Sequence, residues 1–195
     1  QVSSKISYPL FKSSSSSSQT LTPIVMPIIA PYNNYTDVQK VTNSNLFSSN
    51  RAASITEWER GTRINYGVEW FINTKHGANL KTIVSQNYRF NKDKSNNLKE
   101  ISNYFINSNI TINSKNYLDS SLIIDRDDLK TRSLTANSFN KFGDLIISTN
   151  YDYTSGKYEA PAEQLAVGGK YTLDKNLFLK FTGAKNLDTN KNIGY

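Results

Sequence analysis

From Arg63 to Leu187 the chain repeats one plan, a run of residues alternating apolar with polar and then a short polar turn. Successive side chains of a strand point to opposite faces, so each run reads as a strand with one apolar and one polar side. Ile64, Tyr66, Val68, Trp70 and Ile72 share one face of the first run, while Arg63, Asn65, Glu69 and Asn73 share the other. The same alternation returns around Tyr104–Ile112, Leu118–Ile124, Leu145–Tyr153, Leu165–Leu173 and Leu177–Phe181. It is less clean between Leu80 and Phe90, where Ile83 falls opposite Leu80 and Val84. The separators are rich in Gly, Asn, Asp, Ser and Lys, the chemistry of turns. Strands joined by such short turns are antiparallel neighbours. Helical spacing with caps occurs nowhere over a useful length, so the pattern predicts an all-β antiparallel meander of about ten strands.

Alternation alone fits a soluble β-sandwich as well as a membrane wall, because each has one apolar and one polar face. Length separates them. Globular strands average about five or six residues, whereas a tilted membrane-crossing strand needs roughly 9 to 11. The runs 63–73, 103–113 and 144–154 are of the longer kind. Trp70, Phe71, Tyr88, Phe90, Tyr104, Tyr151, Tyr153 and Tyr171 lie near run ends, where the aromatic girdles of a barrel stand. A mean hydropathy of −0.55 is no obstacle, since a barrel wall is polar on its inner side. No apolar run approaches the length of a membrane helix, and the stretch Ile24 to Ala30 is short and broken by Pro27.

The charge balance, 23 Lys and Arg against 16 Asp and Glu, gives +7. That sign is compatible with phosphorylated lipid, nucleic acid or an acidic membrane surface, but the chain's loading with Asn, Lys and Ile, as expected of an A+T-rich coding sequence, accounts for it more simply. The lysines are scattered singly, unlike the clustered footprint of a nucleic-acid binder, so no nucleic-acid partner is expected. With no Cys and one His, neither a disulfide framework nor a zinc site is expected. His76 lies in a Gly-containing turn away from any nucleophile-elbow serine, and no catalytic residue, metal or cofactor is assigned. Asp125, Asp127 and Asp128 offer oxygen ligands for a cation but lack the Gly and Glu of an EF-hand loop. With Arg126 embedded among them, they read instead as a strand end whose charges pair across strands, Arg132 being the nearest partner.

The first sixty residues depart from the repeat. A serine run gives a polar loop at 12–19, between a strand ending near Phe11 and another starting near Thr20. Residues 32–60 form a polar excursion too long for a passive hairpin loop, expected to fold back or act as a plug. Pro23, Pro27 and Pro31 each lack a ladder donor, which suits an irregular or edge strand. The start at Gln1, without Met or an apolar leader, and the stop at Tyr195 inside a strand-like run suggest a piece of a longer polypeptide.

Five motifs in order carry a family resemblance. They are the proline-punctuated strand 22–31; Asn45, Leu46, Phe47, Asn50 and Arg51; Trp58, Glu59, Gly61, Arg63, Tyr66 and Gly67; Ser85, Gln86, Tyr88 and Phe90; and Asp125, Arg126, Asp127 and Asp128. Together they resemble the C-terminal barrel segment of the lipopolysaccharide-assembly family LptD, also called the organic solvent tolerance family. Residues 52–56 depart from the small Gly-containing turn expected after the Asn-Arg pair. The resemblance implies that residues 1–195 are part of a large transmembrane β-barrel in the outer membrane, with a transport function and no enzymatic one. It implies as partners lipopolysaccharide, membrane lipid, periplasmic bridge proteins that deliver the lipopolysaccharide and a lipoprotein plug in the lumen. For Pro23, Pro27 and Pro31 it implies a place near the lateral opening, where pairing is weak. The paired cysteines frequent in this family do not occur here. Two readings compete with it: a porin-like or adhesin barrel without a lipid substrate, and a soluble β-sandwich binding module.

Overall fold

The computed structural model describes residues 1–30, 41–51, 59–90, 100–156 and 160–194. Their strands are β1 (Val2–Ser3), β2 (Ile6–Ser7), β3 (Leu10–Ser13), β4 (Ser17–Ile29), β5 (Arg63–Thr74), β6 (Asn79–Arg89), β7 (Tyr104–Asn113), β8 (Asn116–Ile124), β9 (Thr131–Phe142), β10 (Leu145–Thr154), β11 (Ala162–Asp174), β12 (Leu177–Asn186) and β13 (Lys191–Gly194). All belong to one antiparallel sheet in chain order, with β1–β3 end to end along one edge of β4. The meander is open, bounded by β1–β3 and by β13. The all-β antiparallel expectation holds; the strands number thirteen because one edge strand is broken into three.

The register turns the alternation into two surfaces. One cross-strand row runs Pro23, Val68, Val84, Ile106, Leu122, Leu134 and Tyr153 over seven consecutive neighbours. The row on the opposite face runs Thr22, Glu69, Ile83, Asn107, Ser121, Thr135, Asp152, Gln164 and Asn186. The first is a continuous apolar band and the second is polar apart from Ile83, the residue that blurs the pattern of β6. Strands β4–β12 are 9 to 13 residues long, enough to cross a bilayer at a tilt. The apolar band is uncovered: Val68 is 40% exposed and Val84 42%. A sandwich would bury that face against a second sheet, and among the described residues every strand lies in this one sheet.

The two rims differ. Turns 14–16, 75–78, 114–115, 143–144 and 175–176 lie at one end; at the other end the strand pairs β4 and β5, β6 and β7, β8 and β9, and β10 and β11 are separated by longer stretches of sequence. Backbone demands are met locally, since Gly77 takes φ 83° and Gly143 φ 60° in their turns, the left-handed region that glycine enters without a Cβ clash. Tyr88, Tyr104, Tyr151 and Tyr153 stand on the apolar face toward the long-loop rim, and Trp70 and Tyr171 stand on it toward the tight-turn rim. Phe71 does not join them, because it pairs with Thr20 and Lys81 on the polar face.

The serine run is a correction. Instead of a loop at 12–19, Lys12 and Ser13 pair with Gln19 and Ser18, while Ser17 and Ser18 pair with Thr74 and Asn73. The turn shrinks to 14–16, where the Ser14 Oγ accepts from the Ser17 amide at 3.1 Å. Pairing on both sides overrides a weak strand propensity, as tertiary context commonly does.

Gly67 marks a close approach between β5 and β6. A Cβ built there would stand 2.6 Å from the Val84 carbonyl oxygen and 2.8 Å from the Ser85 Cβ. Gly67→Val is therefore expected to shift the backbone and destabilise the refolded wall by about 1 to 3 kcal/mol. The denaturant midpoint of the full-length protein refolded in detergent measures it; an unchanged midpoint would show that the strands separate freely.

Candidate functional site

Residues 41–51 and 59–62 lie on the polar face. Asn43 shows this directly, since its Nδ2 donates to the Ser121 Oγ and its carbonyl accepts from Asn107 at 3.5 Å. Beneath the segment, β4 turns Ile24, Met26 and Ile28 to this face. These three, with Ala30, Leu46 and Phe105, are the buried apolar residues of the described chain. The core therefore sits on the inner side of the wall, between loop and sheet.

The motif residues build a knot there. Asn45 Oδ1 accepts from the Thr42 amide at 2.8 Å and its carbonyl from the Ser48 amide at 3.0 Å, which turns the chain so that Leu46 is wholly buried. Phe47 stays half-buried, its ring 5.6 Å from the Lys5 ammonium. Asn50 Oδ1 accepts from the Glu59 amide at 2.9 Å and so fastens the two ends of the loop. Gly61, at φ 85°, makes the bend into β5.

Glu59 is the centre. It accepts from Arg51 Nε at 2.6 Å and Nη2 at 2.7 Å, a bidentate pair. Arg63 Nη2 lies 3.1 Å from Glu59 Oε2, and Arg89 reaches Oε1. All four side chains are at least 96% buried. The register explains the need for an anion: Arg63 and Arg89 are directly opposite one another, a like-charge pair that is unfavourable without a partner. Arg63 also donates to the Ser49 carbonyl at 2.6 Å, and Arg89 to that of Arg60 at 3.4 Å. Burial pushes the Arg51 guanidinium down to about 10, which leaves it cationic at neutral pH. Burying charge is costly unless it is paired and hydrogen-bonded, and here one carboxylate and several carbonyls hold the loop on the wall.

Arg63 thus has partner chemistry that its sequence context hides, and Arg89 joins it although the motifs do not single it out. The signal was in the hairpin: folding the chain about 75–78 sets 63 against 89. Asn65, which alternation marks as a tolerant lumen residue, is 0% exposed and its Oδ1 accepts from Asn87 Nδ2 at 2.6 Å. Tyr66 and Gln86 pair on the apolar face, the phenol donating to Gln86 Oε1 at 3.0 Å. Trp58 and Pro31 lie outside the described residues.

Asp125, Arg126 and Asp127 are elsewhere, in the 125–130 turn. Asp125 Oδ1 accepts from the Asp127 amide at 2.9 Å and its carbonyl from the Leu129 amide at 3.0 Å. Arg126 bonds Asp127 at 3.0 Å and the Ile101 carbonyl at 3.4 Å. Arg126 thus pairs with its own neighbour within the turn. The turn closes on itself while tying the 100–103 segment to β8. His76 is exposed in the 75–78 turn.

Pro23 and Pro27 also act together. They sit at alternate hydrogen-bonding positions of the same β4 edge, facing β1–β3. Tyr8 donates to the Pro23 carbonyl at 3.2 Å and Ser4 to the Pro27 carbonyl at 3.3 Å, and neither proline can return the bond. Register is continuous from Val2↔Ile29 to Ser13↔Ser18, so β1–β3 are one strand perforated opposite the prolines. On its other edge β4 pairs with β5 over twelve rungs without a break.

A comparison with curated proteins gives no match. The family model for LPS transport system D, LptD, matches residues 1–177. The motif knot, the two-faced wall and that match agree, and the chain belongs to the LptD family of outer-membrane lipopolysaccharide transport and assembly components.

Proposed function

We propose that this chain forms an arc of an outer-membrane translocon that inserts lipopolysaccharide into the outer leaflet. The apolar band faces lipid, and the polar face lines a lumen that takes lipopolysaccharide from periplasmic bridge proteins and seats a lipoprotein plug beside residues 41–51. Tight turns on one rim and long loops on the other match the periplasmic and outer rims of such barrels. The transfer involves no covalent chemistry.

The observation that carries the reading is the one-sided loss of bonding at β4. A wall that must part to release a lipid needs one seam weaker than the rest. Pro23 and Pro27 remove donors only toward β1–β3 and leave the β5 ladder whole; Pro31 continues the same four-residue spacing in sequence. A porin-like wall has no use for such asymmetry.

Two disulfide locks in the full-length protein test this. Ser7→Cys with Ile24→Cys staples the perforated seam, and Val25→Cys with Tyr66→Cys staples the intact one. Oxidation of the first pair is expected to stop lipopolysaccharide reaching the cell surface, and reduction to restore it, while the second pair leaves delivery near the parental level. Equal delivery with both locks closed would sink the role of the seam.

A further inference from the structure

Folding about the 175–176 turn sets Lys170 of β11 directly opposite Lys180 of β12. Ile146 of β10 continues that row and Lys141 of β9 ends it, all on the polar face. Like charges directly opposed in a ladder are destabilising. Among the described residues none of these lysines has a carboxylate partner. Instead two ammonium groups converge on one ring, Lys170 Nζ at 4.5 Å and Lys180 Nζ at 5.3 Å from the Phe178 centroid. A cation–π contact at an exposed site is weak and does not remove the repulsion between the two. Places where a local rule fails are expected to be functional or strained sites.

What lies beside the pair indicates the ligand. The next row of the same face is small, Ser148, Gly168 and Thr182. It floors a trough of about 400 Å³, bounded by the stacked rings of Tyr117 and Phe139, 5.5 Å apart. A cationic clamp at the tight-turn end of an aromatic-walled groove suits a sugar carrying a phosphate, since lysine binds phosphate as a compact point charge.

We propose that Lys170 and Lys180 clamp a phosphate on the headgroup of the transported glycolipid as it passes along the lumen wall, an inference that rests on the transport reading above. The anion relieves the lysine repulsion, and the Tyr117 and Phe139 side of the trough accepts the sugar face.

The test measures binding of intact and enzymatically dephosphorylated lipopolysaccharide to the full-length protein in detergent. The wild type is expected to prefer the phosphorylated form by about tenfold, the scale of one charge-assisted hydrogen bond. K170Q/K180Q should lose that preference without lowering the melting temperature, because it also removes a repulsion, and K170R/K180R should keep it. K175Q, in the neighbouring turn, should behave as wild type. Equal preference in the wild type and K170Q/K180Q would overturn the clamp, as would inorganic phosphate binding as tightly as lipopolysaccharide. Wild-type protein that delivers lipopolysaccharide in cells yet shows no phosphate preference overturns this inference alone; failure both to bind and to deliver overturns the transport reading with it.

Discussion

Glu59→Gln is expected to release residues 41–51 from the wall at a cost of about 3 to 5 kcal/mol, the range for removing one partner of a buried ion pair. The substitution keeps size and shape but removes the carboxylate that Arg51, Arg63 and Arg89 share. Arg63 and Arg89, opposed in the ladder, then repel at short range in a site with almost no water contact. The cheapest relief is for the loop to lift, taking Arg51 into solvent. Amide exchange of residues 41–51 should accelerate by orders of magnitude, and trypsin should cut after Arg51 in the refolded full-length protein. Arg51→Gln leaves the carboxylate with two guanidiniums and should cost less. If 41–51 stays protected in Glu59→Gln, the ion cluster is not what docks the loop, and the buried Leu46 would do so together with the bonds of Asn43 to Ser121 and Asn107.

Much of the wall was legible because its period is two and its turns are short. Once a turn centre is known, register follows by counting outward, and the apolar row from Pro23 to Tyr153 needs no further information. What lay beyond reach depends on contacts between distant segments. Asn65 alternates as an ordinary polar-face residue, and its full burial and its bond to Asn87 arise only in the folded structure. Arg89 carries no signal of its own until it is set against Arg63 and the Glu59 carboxylate arrives from the loop. The serines at 13–18 were misread for a related reason. Their own propensity is for a turn, and their strand pairing is imposed by Thr74 and Asn73 on one side and by the first hairpin on the other. Pro23 and Pro27 lack ladder donors as their residue type dictates, but their strand β4 is paired on both sides rather than lying at an edge, and which side they weaken is fixed by the parity of their positions relative to β5.

Val68→Arg is expected to cost about 2 to 4 kcal/mol in the bilayer-embedded full-length protein, the range for a basic residue on the lipid face near the midplane of a barrel. Val68 sits in the apolar row between Pro23 and Val84, six rungs from one end of β5 and five from the other, so a guanidinium there is as far from either rim as the strand allows. The control on the other face must be chosen with care. Asn65 is buried and bonded to Asn87, so an arginine there would be costly for an unrelated reason. Asn109 of β7 suits better: an arginine there stands opposite Lys81 on one side, which Glu69 already pairs at 3.1 Å, and opposite the Asp119 carboxylate on the other. The two variants should therefore separate: Val68→Arg loses stability in lipid and recovers part of it in detergent, where the site can be hydrated, whereas Asn109→Arg stays near wild type in both. Unfolding by guanidinium in lipid vesicles and in detergent micelles reads the difference. Equal cost at the two positions, unchanged between vesicle and micelle, would mean that the apolar band does not face hydrocarbon, and the assignment of this sheet as a membrane wall would fall.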